Sequence, residues 1–257
     1  MNSIDYNESF LKDLARSRRH FWYLHRNKII YWALRKFSLG NRAKILELGA
    51  GSGNVLAYLV SKGVEADGAD IYDSSLSYIS RYAGKAFKYD VRRDPSAAEE
   101  TRGLKGSYDA VIMADVLEHL DDPAAALRNA GYFCRKGGVV VITVPAMQEL
   151  WSPYDVACGH KKRYDVTSLR RMIRDAGMDC LSIKHIFFTT AIALFIKRKI
   201  GKSAPGTDEE LISREFDINV FINGLFKLIC SCEFLTGKIS DFPIGSSIIG
   251  VAKNTSQ

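Results

Sequence analysis

From Ala43 to Val144 the chain alternates short apolar runs with longer mixed segments, and no other feature constrains its fold as tightly. Strands alternating with helical patterns read as βαβ units around a parallel sheet. Ile45–Leu48 predicts a first strand, and the apolar spacing of Val55, Leu56, Leu59 and Val60 predicts a helix over Asn54–Lys62. The pattern then gives a strand over Val64–Asp70, a helix over Ser74–Tyr82 and a strand over Ala86–Tyr89. A strand over Tyr108–Met113, a helix over Pro123–Phe133 and a strand over Gly138–Val144 follow, the helix carrying proline in its first turn. Thr167–Ala176 reads as a helix capped by Thr167 and closed by Gly177. Two further strands are expected around Met178–Ile186 and Ser247–Lys253.

Between those last strands lies an insertion, Thr189–Phe242, split by the loop Gly201–Thr207. Ile218, Phe221, Ile222, Leu225, Phe226, Leu228 and Ile229 give its second half a wide apolar helical face. The expected organisation is therefore N-terminal cap helices over 1–40, a main α/β domain over 41–188 and 243–257, and a helical insertion over 189–242.

At 47% hydrophobic and 25% charged over 257 residues, the composition is that of a folded globular chain. The net charge of +7 is local: Lys12–Lys36 carries eight Lys or Arg against one acid, and Lys184–Lys202 carries five with none. The five cysteines are odd in number and scattered, which suits buried thiols in a reducing compartment. Cys230 and Cys232 are one residue apart, so they do not make a CxxC pair, and no metal site is expected. Met1–Asp13 is polar and acidic where a secretory leader would be basic and then apolar, which predicts a cytoplasmic protein. The most apolar segment, Ile186–Ile196, is far shorter than the roughly 20 residues of a bilayer span.

The run ILELGAGSGN places alternating glycines directly after the first strand and at the start of a helix, where backbone can approach a ligand closely. A dinucleotide fingerprint would carry a third glycine where Asn54 stands, so pyrophosphate binding is disfavoured. Asp70, about twenty residues on at the end of the second strand, can accept a ribose diol of either a dinucleotide or a sulfonium nucleoside.

The other strand ends decide between them. ELGAGSG with Glu47, Asp70 in GADIYDSSL, Asp90 in KYDVRRD, and the run from Tyr108 through ADVLEHL to Leu120 resemble the cofactor motifs of class I S-adenosylmethionine-dependent methyltransferases, small-molecule branch (type 11/12-like). The resemblance covers about residues 20–185 and the final strand, and implies an α/β, Rossmann-like, doubly wound seven-stranded sheet whose last strand is inserted antiparallel. It further implies that Gly49, Ala50, Gly51 and Gly53 lie against the methionine part and ribose, that Asp70 with Ile71 takes the ribose, and that Asp90 and Val91 bind adenine. Ala114, Asp115 and Val116 would lie beside the adenosine and sulfonium, with Glu47 ordering the loop from behind. His20–Asn27 resembles the FW-x-x-x-R-N opening helix of related bacterial enzymes, which implies that Arg26 binds the cofactor carboxylate and Trp22 borders the substrate; packing of a cap helix by Trp22 and Tyr23 is the competing reading.

Methyl transfer is an in-line displacement, so alignment in a dry pocket comes first, and a histidine gains value when the acceptor is a hydroxyl that must lose its proton. Leu150–Tyr164 resembles the LWS-x-x-D…GH-x-RRY segment of methyltransferases encoded among bacterial polysaccharide and lipid genes. The resemblance implies His160 as base or acceptor ligand, with Tyr154, Asp155, Arg163 and Tyr164 shaping the substrate pocket. His119 reads equally as a catalytic group and as one that orders the loop; His20, His25 and His185 read as structural. The [DNS]PP[YF] run of nucleobase methyltransferases is absent, Ala114–Leu117 standing in its place, so nucleic acid is not the expected partner. The expected reaction is O-methylation of a small-molecule or lipid-linked acceptor, possible sugars included. An NAD-dependent oxidoreductase and a non-catalytic cofactor-binding scaffold are the alternatives. Apolar faces beside Lys197, Arg198, Lys199 and Lys202 make segment 186–230 either a peripheral contact with the inner membrane face, a lid, or a subunit interface.

Overall fold

The computed structural model describes residues 11, 17–37, 43–200 and 206–256. The sheet strands are β1 (Ile45–Leu48), β2 (Asp67–Asp70), β3 (Ala86–Lys88), β4 (Tyr108–Ala114), β5 (Cys134–Pro145), β6 (Met178–Ile186) and β7 (Ser247–Asn254). They form one seven-stranded sheet in the order β3-β2-β1-β4-β5-β7-β6, as the resemblance implies. β7 runs antiparallel to both β5 and β6, and the remaining pairs are parallel. The helices are α1 (Phe21–Phe37), α2 (Asn54–Val60), α3 (Asp73–Ile79), α4 (Pro123–Phe133), α5 (Pro153–Ala157), α6 (Val166–Asp175), α7 (Phe188–Ile200), α8 (Asp208–Phe216) and α9 (Val220–Gly237).

Side chains alternate across a strand, so a sheet covered on both faces needs apolar residues at every position. In β4, Val111 and Met113 enter the core under α4 and α6, while Ala110, Ile112 and Ala114 enter the core under α1 and α2. β5 repeats the pattern, with Val140, Ile142 and Val144 on one face and Val139 and Val141 on the other. Gly68 in β2 permits close packing: a Cβ there would meet Leu56 Cδ1 at 2.8 Å.

Two local expectations are corrected. The N-cap of α6 is Asp165, not Thr167: its carboxylate accepts from Ser168 N at 2.8 Å, and Ser168 Oγ lies 3.1 Å from Asp165 N, a reciprocal box that Thr167 inside the helix cannot make. β5 begins at Cys134, four residues before Gly138, because a register irregularity between Tyr108 and Ala110 lets the strand pair across the turn glycines. Among the described residues, the expected cap-helix region holds the buried Leu11, a short turn at Ser17–Arg19 and helix α1; positions 1–10, 12–16 and 38–40 lie outside the described residues.

Among the described residues, the insertion holds helices α7, α8 and α9. Asn223 of α9 accepts from Phe21 N at 2.8 Å and donates to Arg19 O at 3.2 Å, and Phe226 stacks on Phe21 with ring centroids 4.8 Å apart. Its outer face carries Val220, Phe221, Leu225, Leu228 and Leu235 in the open, each more than half exposed. By length and composition α9 is long and apolar enough to cross a membrane, with 11% of it buried. Its inner face packs Phe226, Cys230 and Phe234 into the core under α1, and Asn223 adds hydrogen bonds that tie it to the fold.

Candidate active site

Residues at the carboxyl ends of β1 to β5 line a cavity of about 1020 Å³, at the point where strand order reverses between β1 and β4. Ligands bind open α/β sheets at such a switch point. Glycines shape the near wall. Gly49 (φ +71°) and Gly53 (φ +71°) adopt left-handed backbone, and a Cβ on Gly49 would stand 2.7 Å from Val116 Cγ2. Gly51 (φ +54°) faces open space, so the backbone itself is the cavity surface there. The amides of Gly49 and Ala50 donate to Ala69 O, and Gly51 N donates to Asp70 Oδ2 at 2.8 Å. Asp70 also accepts from Tyr72 N at 3.0 Å. These bonds use about two of the roughly four acceptor sites of a carboxylate.

The loop is clamped by a residue no motif signalled. Arg18 donates to Asn54 Oδ1 and Ser52 O, each at 3.0 Å, and to the Tyr82 hydroxyl. Asn27 adds a bond from Nδ2 to Asn54 O at 3.0 Å.

Arg26 is buried, lies over the rings of Trp22 and Tyr23, and pairs with Asp115 across the cavity floor. Asp115, itself at φ +56°, is held further by Thr143 Oγ1 at 3.1 Å. A carboxylate ligand at Arg26 therefore shares the guanidinium with Asp115. Glu47 is 2% exposed, and its Oε2 has no hydrogen-bond partner among the described residues. Burial pushes its pKa up to about 8, against the Arg26 charge and with the help of Asp70. Asp90 is gripped by Arg92, Nη2 to Oδ2 at 2.7 Å; burial raises its pKa, but the Arg92 bonds win and hold it below the ordinary carboxylate value.

The far wall is the β5–α6 loop. Asp155, wholly buried at the start of α5, accepts from Ser152 N at 2.9 Å, His160 Nδ1 at 3.0 Å and Arg163 Nε at 2.8 Å. Burial alone would raise its pKa, yet the His160 bond and the Arg163 charge hold it down to about 2. His160 borders the cavity with its ring 4.9 Å from that of His119. Burial, and then the neighbouring His160, push His119 down to about 4, so it is a neutral imidazole at neutral pH. Glu118 is buried with both carboxylate oxygens lacking hydrogen-bond partners among the described residues; burial and Asp115 drive its pKa well above the carboxylate range. Glu118, His119 and His160 bring one donor atom each within 4.8 Å of the others.

Of the residues singled out from sequence, Trp22, Arg26, Glu47, Gly49, Ala50, Gly51, Asp70, Ile71, Asp90, Val91, Ala114, Asp115, Val116, His119, Tyr154, His160 and Arg163 all line this one cavity. Three do not. Gly53 caps α2 behind the loop, Asp155 sits beneath His160, and Tyr164 is buried with its hydroxyl donating to Leu117 O at 3.0 Å. Asp155 and Tyr164 thus hold the pocket wall from behind rather than forming its surface. Sequence reasoning passed over Glu118, although it stands inside the quoted DVLEHL run, and it read His20 as structural where the residue lines the cavity. Arg198 and Ile222 from the insertion also line it, and no local pattern announces that.

These residues fit S-adenosylmethionine. The buried, partnerless Glu47 oxygen calls for a cationic ligand, Asp70 and the bare Gly51 backbone suit a ribose, and a gap closed to any Cβ at Gly49 lets the ligand approach main chain. A family model described as a methyltransferase domain matches residues 15–183. The chain is 32% identical over 99 residues to the ubiquinone biosynthesis O-methyltransferase of Bordetella pertussis, 38% of this chain and 40% of that one. It thus spans less than half the length of the curated relatives it matches. A chain of the complex between the Haloferax volcanii Trm112 methyltransferase activator and the putative methyltransferase has a similar fold, with TM-score 0.63, 15% identity and full coverage of both chains. Haemonchus contortus phosphoethanolamine N-methyltransferase 2, solved in complex with S-adenosyl-L-methionine, aligns with TM-score 0.55 and 13% identity over 90% of this chain and 53% of that one. With the sheet order, the glycine loop and the family match in agreement, the chain belongs to the methyltransferase-domain family and carries the seven-stranded fold of class I S-adenosylmethionine-dependent methyltransferases.

Proposed function

We propose that the enzyme transfers the methyl group to a hydroxyl oxygen of a small acceptor carrying an apolar or lipid tail, at the inner face of the cytoplasmic membrane. The observation that carries this reading is the buried Asp155 beneath His160 on the cavity wall facing the glycine loop. With Nδ1 bonded to the carboxylate, the imidazole is fixed in orientation and its Nε2 is left to take the hydroxyl proton, the arrangement of an oriented general base. The bound cofactor supplies an electrophilic methyl on a sulfonium. The protein aligns the acceptor, excludes water and receives the proton at His160, while neutral His119 and the buried Glu118 border the same end of the cavity.

Support for the tail comes from the insertion. Ala193, Leu194, Ile218, Ile222 and Phe226 give the side of the cavity under α7 and α9 an apolar stretch, bordered by Thr190, Lys197 and Arg198. Outside, Phe221, Leu225 and Leu228 of α9 are exposed, as are Phe195 and Ile196 of α7 beside Lys199. Apolar side chains beside cations suit an anionic bilayer surface. Similarity to the Bordetella ubiquinone biosynthesis O-methyltransferase supports oxygen as the methylated atom.

Two assays test the proposal. Tritiated S-adenosylmethionine is offered with a catechol bearing or lacking an alkyl tail; transfer favouring the tailed acceptor, and lost in His160→Ala, is expected. Equal transfer to both acceptors overturns the tail, and unchanged turnover in His160→Ala overturns the base. Flotation with vesicles of phosphatidylglycerol and phosphatidylcholine should carry the protein, and Phe221→Glu with Leu225→Glu should release it. Failure of the unaltered protein to float removes the membrane reading and leaves the methyl-transfer reading in place.

A further inference from the structure

We propose that His25, Cys230 and Glu233 form a site for a divalent cation of zinc-like chemistry that pins the insertion helix α9 to α1. The three residues bring one ligand atom each, from imidazole, thiol and carboxylate, within 4.8 Å of one another. They come from distant stretches of chain: His25 from the middle of α1, Cys230 and Glu233 from one face of α9 three residues apart. Around a tetrahedral zinc such donors stand about 3.5 Å apart, so small side-chain shifts close the site.

Burial separates this group from a chance surface cluster. His25 is 5% exposed, Cys230 1% and Glu233 7%. Glu233 Oε1 accepts from Thr189 N at 2.6 Å, while Oε2 is buried without a hydrogen-bond partner among the described residues. A buried carboxylate oxygen left so is costly, and a cation relieves that cost. The His25 ring packs edge-on against Phe187 with centroids 5.0 Å apart, which fixes the orientation of the imidazole. Binding takes the proton of the Cys230 thiol to solvent as the sulfur–metal bond forms. A small cavity of about 40 Å³ bordered by His25 and Glu233 has room for a water as fourth ligand.

Charge balance holds despite nearby lysines. A divalent cation with one thiolate and one carboxylate is neutral overall. Lys28 and Lys238 sit on the Phe234 ring at 4.3 and 4.5 Å from its centroid, and Lys184 is paired with Asp241 at 2.7 Å. The consequence reaches the active site: α9 carries Ile222 and Phe226 and α1 carries Trp22 and Arg26, all lining the main cavity, so a clamp between the helices sets that wall.

The test is cobalt substitution in the full-length protein after dialysis against a chelator. One Co²⁺ per chain with a near-ultraviolet thiolate-to-cobalt charge-transfer band is expected, displaced by Zn²⁺. Cys230→Ser should abolish the band, and Glu233→Gln should weaken Co²⁺ binding at least tenfold, while Cys158→Ser and Cys232→Ser leave both unchanged. If Cys230→Ser does not fold, the volume-matched Glu233→Gln titration decides. Absence of the band in the unaltered protein, its persistence in Cys230→Ser, unweakened Co²⁺ binding in Glu233→Gln, or binding abolished by Glu118→Gln would each overturn the site.

Discussion

Replacing Asp155 by Asn removes the charge that organises the β5–α6 loop while keeping its shape. The carboxylate is wholly buried and accepts from Ser152, His160 and Arg163, whose side chain is 6% exposed. Removing one partner of a buried ion pair leaves the other charge uncompensated, at a cost of about 3–5 kcal/mol. A second estimate comes from proton linkage. Asp155 falls from an ordinary 3.8 to about 2 in the folded protein, and at about 1.4 kcal/mol per pKa unit this contributes about 2 kcal/mol to stability. Because the folded value is depressed, that contribution is complete above about pH 4 and is lost as pH falls toward about pH 2, with roughly half gone near pH 3. Urea unfolding of both proteins at neutral pH should show the variant less stable by about 2–5 kcal/mol, and the gap should narrow between about pH 5 and pH 3. His160 should also lose its fixed orientation, so turnover should fall more than stability explains. Equal midpoints at neutral pH, or a gap independent of pH, would refute the reasoning.

Asp70→Asn should weaken binding of S-adenosylhomocysteine by about 1.5–3 kcal/mol in calorimetry, since a charge-assisted acceptor becomes a neutral one. Gly49→Ala should destabilise the fold: left-handed backbone at φ +71° costs roughly 1–2 kcal/mol in a residue with a Cβ, and contact 2.7 Å from Val116 adds about 1–3 kcal/mol, read from chemical denaturation. Glu47, raised from 4.5 to about 8, favours folding while protonated, so the stability of the free protein should decline as pH rises through that window. Glu47→Gln should flatten the decline, and a melting temperature with the same pH dependence in both proteins would show that Glu47 carries no such burden.

The periodicity of apolar residues located the strands well. β1 and β6 match their expected bounds, β4 and β7 extend theirs by one residue, and β5 starts four residues early and ends one late; β4 and β5, covered on both faces, carry apolar runs, whereas β6 at the sheet edge alternates apolar and polar positions. β2 is shorter than its apolar run, beginning at Asp67 where pairing with β1 begins. Boundaries set by hydrogen-bond partners elsewhere in the chain, such as the Asp165 cap and the early start of β5, were not visible in the local pattern.

The glycine-loop side of the cavity was legible because it is made of backbone and strand ends: glycines, Asp70, Asp90 and Ala114–Val116 are brought together by the order of β-strands, which the sequence encodes locally. Long-range pairing was not legible. Arg18 on the glycine loop, Arg26 with Asp115, and His25 with Cys230 and Glu233 join residues far apart in the chain. Their partners depend on how α1 and α9 pack, and packing is settled by shape and burial over the whole fold rather than by spacing along the chain. The sequence by itself determined the alternating sheet, the glycine loop and the methyltransferase motifs. Only the tertiary structure decided which charges are buried, which carboxylates lack partners, and that a helix from the insertion closes the wall of the active site.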